Sequence, residues 1–132
     1  MNRPESMIKR IIQMHEKFNI SADHIEFSEN EKKFRIVAMQ EELYEYEEAD
    51  TPEDNLDALV DLVVFAIGTA ERMGMIYIFE EAYNRVMTAN MQKEVGENAK
   101  RGSFAIDLIK PEGWEAPDHS DLFQSDFFGR EV

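Results

Sequence analysis

The sequence predicts an all-α bundle of four to five helices, four of them main, with an irregular C-terminal extension. Three observations predict it. Apolar residues recur at i, i+3 and i+4 through most of residues 4–92, the period of a helix with one buried face. The pattern is punctuated by helix starts and stops at Ser6, Thr51-Pro52 and Gly74. Beyond Lys93 it is broken by three glycines and mixed charge up to Gly113. At 132 residues the chain is one domain's worth, 1–132, with the extension occupying about 94–132. A chain of this size can bury a packed core without covalent staples.

Taken in order, Pro4-Glu5-Ser6 opens a first helix with Met7, Ile8, Ile11, Ile12, Met14 and Phe18 on one face, ending near Phe18. Asn19 to Glu29 is a polar connection with a turn at Ala22 to His24. The second helix runs from about Asn30 to Ala49, and Phe34, Val37, Leu43 and Tyr44 are its expected buried residues. Thr51 is an N-cap, Pro52 suits the first helical position, and Glu53 and Asp54 favour the positive helix end. The third helix, Pro52 to about Met73, carries Leu56, Leu59, Val60, Leu62, Val63, Val64, Phe65 and Ile67 around its axis, which predicts burial on nearly every side. Gly74 closes it. A fourth helix from Ile76 to about Gln92 gathers Phe79, Tyr83, Val86 and Met87 on one face. Ser103 to Ile109 reads as a short strand. The tail after it is irregular but aromatic, with Trp114, Phe123, Phe127 and Phe128, which predicts that it docks.

Composition excludes several functions. There are 14 Lys plus Arg against 28 Asp plus Glu, a net charge of −14, with no long basic stripe for nucleic acid. A hydrophobic content of 43% is too high for a disordered acidic chain. With no cysteine there is no disulfide framework, thiolate zinc site or cysteine nucleophile. Asn2-Arg3-Pro4-Glu5 is no signal-peptide core, and the most apolar run, Ala58 to Ala70, contains Asp61 and is too short for a bilayer. A cytoplasmic protein that binds neither membrane nor nucleic acid is expected.

The acid itself is patterned. Glu41, Glu42 and Glu45 stack at +3 and +4 on the second helix, and Asp54, Asp57 and Asp61 repeat that spacing on the third. The connecting turn is short, so the two helices are antiparallel neighbours and the two carboxylate stripes face each other. Their repulsion calls for cations between them. Helical walls of carboxylate without Cys or His suit Mg²⁺ or Mn²⁺. Asp57 and Asp61 interrupt an apolar helix, where a lone buried carboxylate is costly and needs a metal, an Arg or Lys partner, or a backbone donor. Solvated glutamates are the ordinary alternative for Glu41, Glu42 and Glu45.

Glu41-Glu42-Leu43-Tyr44-Glu45 resembles the EExxE motif of the all-α nucleoside triphosphate pyrophosphohydrolases, the MazG and phosphoribosyl-ATP pyrophosphohydrolase superfamily. Asp54-Asn55-Leu56-Asp57 stands in the place of its ExxD motif, and Asp57 to Ala70 resembles the DALxDxxYVxxGTA stretch of short phage and bacterial members. Asn90-Met91-Gln92-Lys93 resembles SNMSK, and Lys110 to Asp118 resembles KGxxYxxPD. The ordered match covers residues 30–118. The resemblance implies a MazG-like bundle and an octahedral Mg²⁺ site with Glu42, Glu45 and Asp57 as ligands. Glu41 would be a ligand or the base that orients water. Asp54 replaces the family's glutamate and is one methylene shorter, reaching metal directly or through water. Asp61 would hold a second ion or anchor Lys93. Lys93 and Lys110 would neutralise distal phosphates, and Asn90 would read the nucleotide.

The implied reaction is cleavage between the α- and β-phosphates, giving a nucleoside monophosphate and pyrophosphate. Deoxynucleotides such as dGTP, dUTP or dCTP are the candidate substrates, in pool shaping or house-cleaning, in a bacterial or phage-infected cytoplasm. Relatives of this kind associate as homodimers or homotetramers. The rival reading is a non-catalytic acidic helical adaptor for a basic partner, which predicts acids spread over exposed faces. A ferritin-like di-iron bundle is excluded for want of a Glu-x-x-His pair. His15, His24 and His119 have no metal-ligand spacing and are read as structural or surface residues. Trp114 either stacks on a base or packs.

Overall fold

Three of the four helices start on a hydroxyl that accepts a hydrogen bond from the amide three residues on. Ser6 accepts from the Lys9 N–H, Ser28 from the Glu31 N–H and Thr51 from the Asp54 N–H, each at 3.1 Å. The computed structural model describes residues 6–124. It is mostly helical: α1 (Met7–Lys17), α2 (Glu29–Glu48), α3 (Pro52–Arg72) and α4 (Ile76–Asn90) are followed by short strands β1 (Glu94–Gly96) and β2 (Asp107–Ile109). The all-α expectation holds, and each helix falls within two residues of its predicted bounds. The chain packs as two compact units, Met1–Ile76 and Tyr77–Val132. Among the described residues no helix is long and apolar enough to cross a membrane.

In the first unit α1 and α2 both pack on α3. The link between α2 and α3 is polar. Arg72, 3% exposed at the end of α3, donates from Nε and Nη2 to the two carboxylate oxygens of Glu31 at 2.8 and 2.7 Å. It also donates to the carbonyls of Ile25 and Glu26, tying down the loop before α2. Arg35, one turn after Glu31, donates to the same carboxylate. Opposite it α3 has Gly68, where a Cβ would stand 3.3 Å from Arg35 Nη1 and 3.4 Å from His15 Nε2. Glycine there makes room for both side chains. Buried His15 of α1 bonds Glu71 through Nδ1, and the other Glu71 oxygen accepts from the Ala22 N–H at 3.0 Å. Gly74, at φ +75°, takes the left-handed position that ends α3, where any side chain would be strained.

This polar seam overturns two expectations. Phe34, Val37, Leu43 and Tyr44 are not buried; each is more than half exposed. The face of α2 turned to α3 carries Glu31, Arg35, Ala38, Glu42 and Glu45 instead, so the large apolar residues stand on other faces. Nor is α3 covered on every side. Its buried residues are Ala58, Ile67, Gly68, Glu71 and Arg72, while Leu56, Leu59, Val60 and Val63 are exposed. Two neighbouring helices cannot shield a helix that is apolar all round.

In the second unit Ile78, Ala89 and Leu122 are buried, whereas Tyr83, Val86 and Met87 are exposed, contrary to the expected face. Strands β1 and β2 pair antiparallel, Glu94 with Ile109, Val95 with Leu108 and Gly96 with Asp107. The expected strand from Ser103 shrinks to Asp107–Ile109. The described part of the tail is held by Arg85, which donates to both Asp121 carboxylate oxygens at 2.6 and 2.9 Å and to the Asp118 carbonyl. Pro4, Glu5, Phe127 and Phe128 lie outside the described residues.

Replacing Arg72 with Met would leave the Glu31 carboxylate with Arg35 alone as its donor and would leave the Ile25 and Glu26 carbonyls without the guanidinium. The expected loss is about 3 kcal/mol in urea unfolding, the range for breaking one side of a buried pair. The Arg72 guanidinium, bonded to Glu31, holds that carboxyl below its ordinary value of 4.5. Its contribution is therefore complete above pH 4.5 and is lost as pH falls through the lower folded value. Unfolding followed from pH 6 to 3 should show this acid limb in the wild type and a shallower one in Arg72→Met.

Candidate metal centre

The same α2 face that meets Arg72 at one end carries only acid at the other. Seven residues beyond Arg35 comes Glu42, and Asp61 lies seven before Gly68, so the antiparallel register brings them together. Glu42, Glu45 and Asp61 each offer a carboxylate oxygen, all within 4.8 Å of one another. Glu42 is half-buried, and its Oε2 is buried with no hydrogen-bond partner among the described residues. Its carboxyl is pushed above the ordinary glutamate value, first by burial, then by its hydrogen bond with Glu45 and the charges of Glu45, Asp61 and Glu41. Like charges brought this close disfavour ionisation, and a cation among them reverses the effect.

The donor set fits a hard divalent ion. It is all carboxylate oxygen, and one oxygen of Glu42 is buried without a hydrogen-bond partner among the described residues. That chemistry suits Mg²⁺ or Mn²⁺. Beside the triad, towards the helix turn, a cleft of about 300 Å³ is lined by Glu45, Glu48, Ala49, Asp54, Asp57, Ala58 and Asp61. The alanines leave the space, and the acids surround it.

The residues expected from the sequence are distributed unevenly here. Glu42 and Glu45 fall in the triad, joined by Asp61 and not by Asp57. Asp54 and Asp57 line the cleft beside it. Glu41 is exposed, and its charge contributes to raising Glu42. Asp57 and Asp61 are both exposed, so the expectation that they sit as buried charges in an apolar helix is corrected: α3 turns them to solvent. Glu48 was missed. It lines the cleft, lies at +3 from Glu45, and accepts a hydrogen bond from the Tyr44 hydroxyl at 3.1 Å. The spacing that singled out Glu45 was the available signal.

Asn90, Lys93 and Lys110 belong to the second unit. Asn90 ends α4, and its carbonyl accepts from the Lys93 N–H at 3.0 Å. Lys93 Nζ and Lys110 Nζ stand 5.1 and 5.2 Å from the centroid of the Trp114 ring. Of the histidines, His15 is buried on Glu71, His24 Nδ1 bonds Ser21 at 2.9 Å, and His119 is half-buried. None enters the carboxylate cluster.

If the triad holds a cation, the metal-free protein is destabilised by its own carboxylates. Glu42→Gln is then expected to raise the melting temperature in EDTA and to abolish the further rise caused by Mg²⁺ or Mn²⁺. In the wild type, an ion at a hundredfold excess over its Kd should add about 2.7 kcal/mol. Thermal unfolding with and without EDTA reads both effects. The sequence matches no protein-family model, and a search of curated proteins finds no match to it.

Proposed function

We propose that the chain is a Mg²⁺-dependent nucleoside triphosphate pyrophosphohydrolase that releases pyrophosphate and a nucleoside monophosphate. The observation that carries the reading is the convergence of Glu42, Glu45 and Asp61, in which one Glu42 oxygen is buried and unpartnered among the described residues. It is supported by the ordered resemblance of residues 30–118 to the MazG-like superfamily. Glu42, Glu45 and Asp61 would hold Mg²⁺ or Mn²⁺, with Asp57 and Asp54 on the cleft wall available to a second ion or to its water. When bound, the ion supplies phosphate-charge neutralisation and Lewis acidity. Glu41 is assigned the water-orienting role, as a base beside the ligands. Without a cation this wall would repel a triphosphate.

A deoxynucleotide such as dGTP, dUTP or dCTP is the proposed substrate, in the cytoplasm of a bacterium or of a phage-infected host. Leu56, Leu59, Val60 and Val63 support a homodimer or homotetramer, because they leave one face of α3 apolar and exposed. A groove of about 340 Å³ between α1 and α3 continues that face.

A second reading has one observation in its favour. Asp54, Asp57 and Asp61 are exposed, as a non-catalytic acidic adaptor for a basic partner would require. Incubation with each common nucleoside triphosphate, in Mg²⁺ and then in EDTA, separates the two. The enzyme reading expects metal-dependent pyrophosphate from one or two nucleotides. Glu45→Gln and Asp61→Asn should lower kcat by about 100-fold or more, the scale of losing one group that stabilises developing charge. Absence of pyrophosphate from every nucleotide, with a folded protein, would favour the adaptor.

A further inference from the structure

The groove between α1 and α3 has an unusual lining for so charged a chain. It holds about 340 Å³, within the range of small-molecule pockets. Ile11 of α1 and Ile67 of α3 are buried and form its floor, while Leu59, Val60 and Val63 are exposed along its α3 wall. No aromatic residue lines it, and no hydroxyl, amide or carboxylate side chain. The one polar contributor is Arg10, which is exposed to solvent. The α3 wall runs from Leu59 to Ile67, a length of about 12 Å at the helical rise per residue.

This lining selects among occupants. A ligand with polar groups along its length would lose its hydrogen bonds to water and find no replacement in the trough. The hot spots of protein interfaces are rich in Trp and Tyr and poor in Leu and Val, the reverse of the composition here. A flexible aliphatic chain has no hydrogen bonds to lose and is held by apolar contact alone. Charge fixes the other end of the ligand. Arg10 forms no salt bridge among the described residues, in a chain with 28 Asp and Glu against 14 Lys and Arg. A lone cation beside an aliphatic trough is complementary to a chain that ends in a carboxylate.

We propose that the α1–α3 trough binds a medium-chain aliphatic carboxylate, with the chain laid along α3 over Ile11 and Ile67 and the headgroup on Arg10. The inference stands apart from the pyrophosphohydrolase reading, since no residue of the carboxylate triad lines the trough. It gives Leu59, Val60 and Val63 a small-molecule occupant. A bound chain and a second copy of the protein therefore compete for these residues.

Isothermal titration calorimetry of the whole protein tests this with decanoate, decylamine and decanol, each kept below its aggregation threshold. Decanoate is expected to bind at a single site. From hexanoate to decanoate, each added methylene should tighten binding about two- to fourfold. Decylamine should bind more weakly than decanoate, although the chain's net charge of −14 favours the amine. Arg10→Gln, folded by circular dichroism, should weaken decanoate about threefold or more and leave decanol unchanged. Val63→Gln, which places an amide in the wall, should weaken both. Glu45→Gln should bind decanoate as the wild type does. The proposal is overturned by absence of saturable binding, by decylamine binding as tightly as decanoate, or by unchanged decanoate affinity in Arg10→Gln. Absence of binding by a protein that sedimentation shows to be an oligomer, dissociated by Val63→Gln, would assign the trough to a second copy.

Discussion

The first unit depends on one guanidinium. Arg72 bonds both oxygens of Glu31 and two carbonyls of the preceding loop, so it fixes α3 against the start of α2 and fixes the chain that leads into α2. An antiparallel helix pair locked at one point is locked along its length. Once Glu31 meets Arg72, Arg35 falls at Gly68 and Glu42 falls at Asp61. The carboxylate cluster is thus a remote consequence of a buried ion pair. Its members do not attract one another. They are brought together by favourable contacts at the other end of the same seam.

This division of labour explains what the sequence could reveal. Helix boundaries were legible because they are local: Ser6, Thr51 and Gly74 act on amides and carbonyls within a turn. The acid stripe was legible for the same reason, since +3 and +4 spacing is a property of one helix. The buried face was not. Phe34, Val37, Leu43 and Tyr44 are the residues that hydrophobicity selects, yet the seam is built from Glu31, Arg35, Gly68 and Arg72, whose burial is favourable only when each finds its partner. Partners separated by 41 residues, as Glu31 and Arg72 are, leave no periodic trace. Choosing Asp61 over Asp57 for the triad likewise needs the register, because both have the spacing.

Two groups among the cations are used differently. Arg35, Arg72, Arg85 and Arg101 are structural: each grips a carboxylate, and Arg72 and Arg85 also tie a loop or the tail to a helix. Guanidinium suits that work, since its planar fork satisfies several acceptors at once. Lys93 and Lys110 are held against an aromatic ring and keep their charge available. These four arginines therefore tie elements together within each unit, whereas Lys93 and Lys110 form no salt bridge among the described residues.

The position of the acid near the α2–α3 turn also bears on how the hairpin forms. Helical hairpins close most readily at the turn, because short loops cost the least entropy. Here the residues that zipping from Thr51 brings together early are acidic, Glu48, Asp54 and Asp57 and then Glu45, Asp61 and Glu42, and the stabilising grip of Arg72 on Glu31 comes only at the far end, across 41 residues. The cheapest route to closure runs through the region of greatest repulsion. A divalent ion in the folding medium would screen that region and lower the barrier.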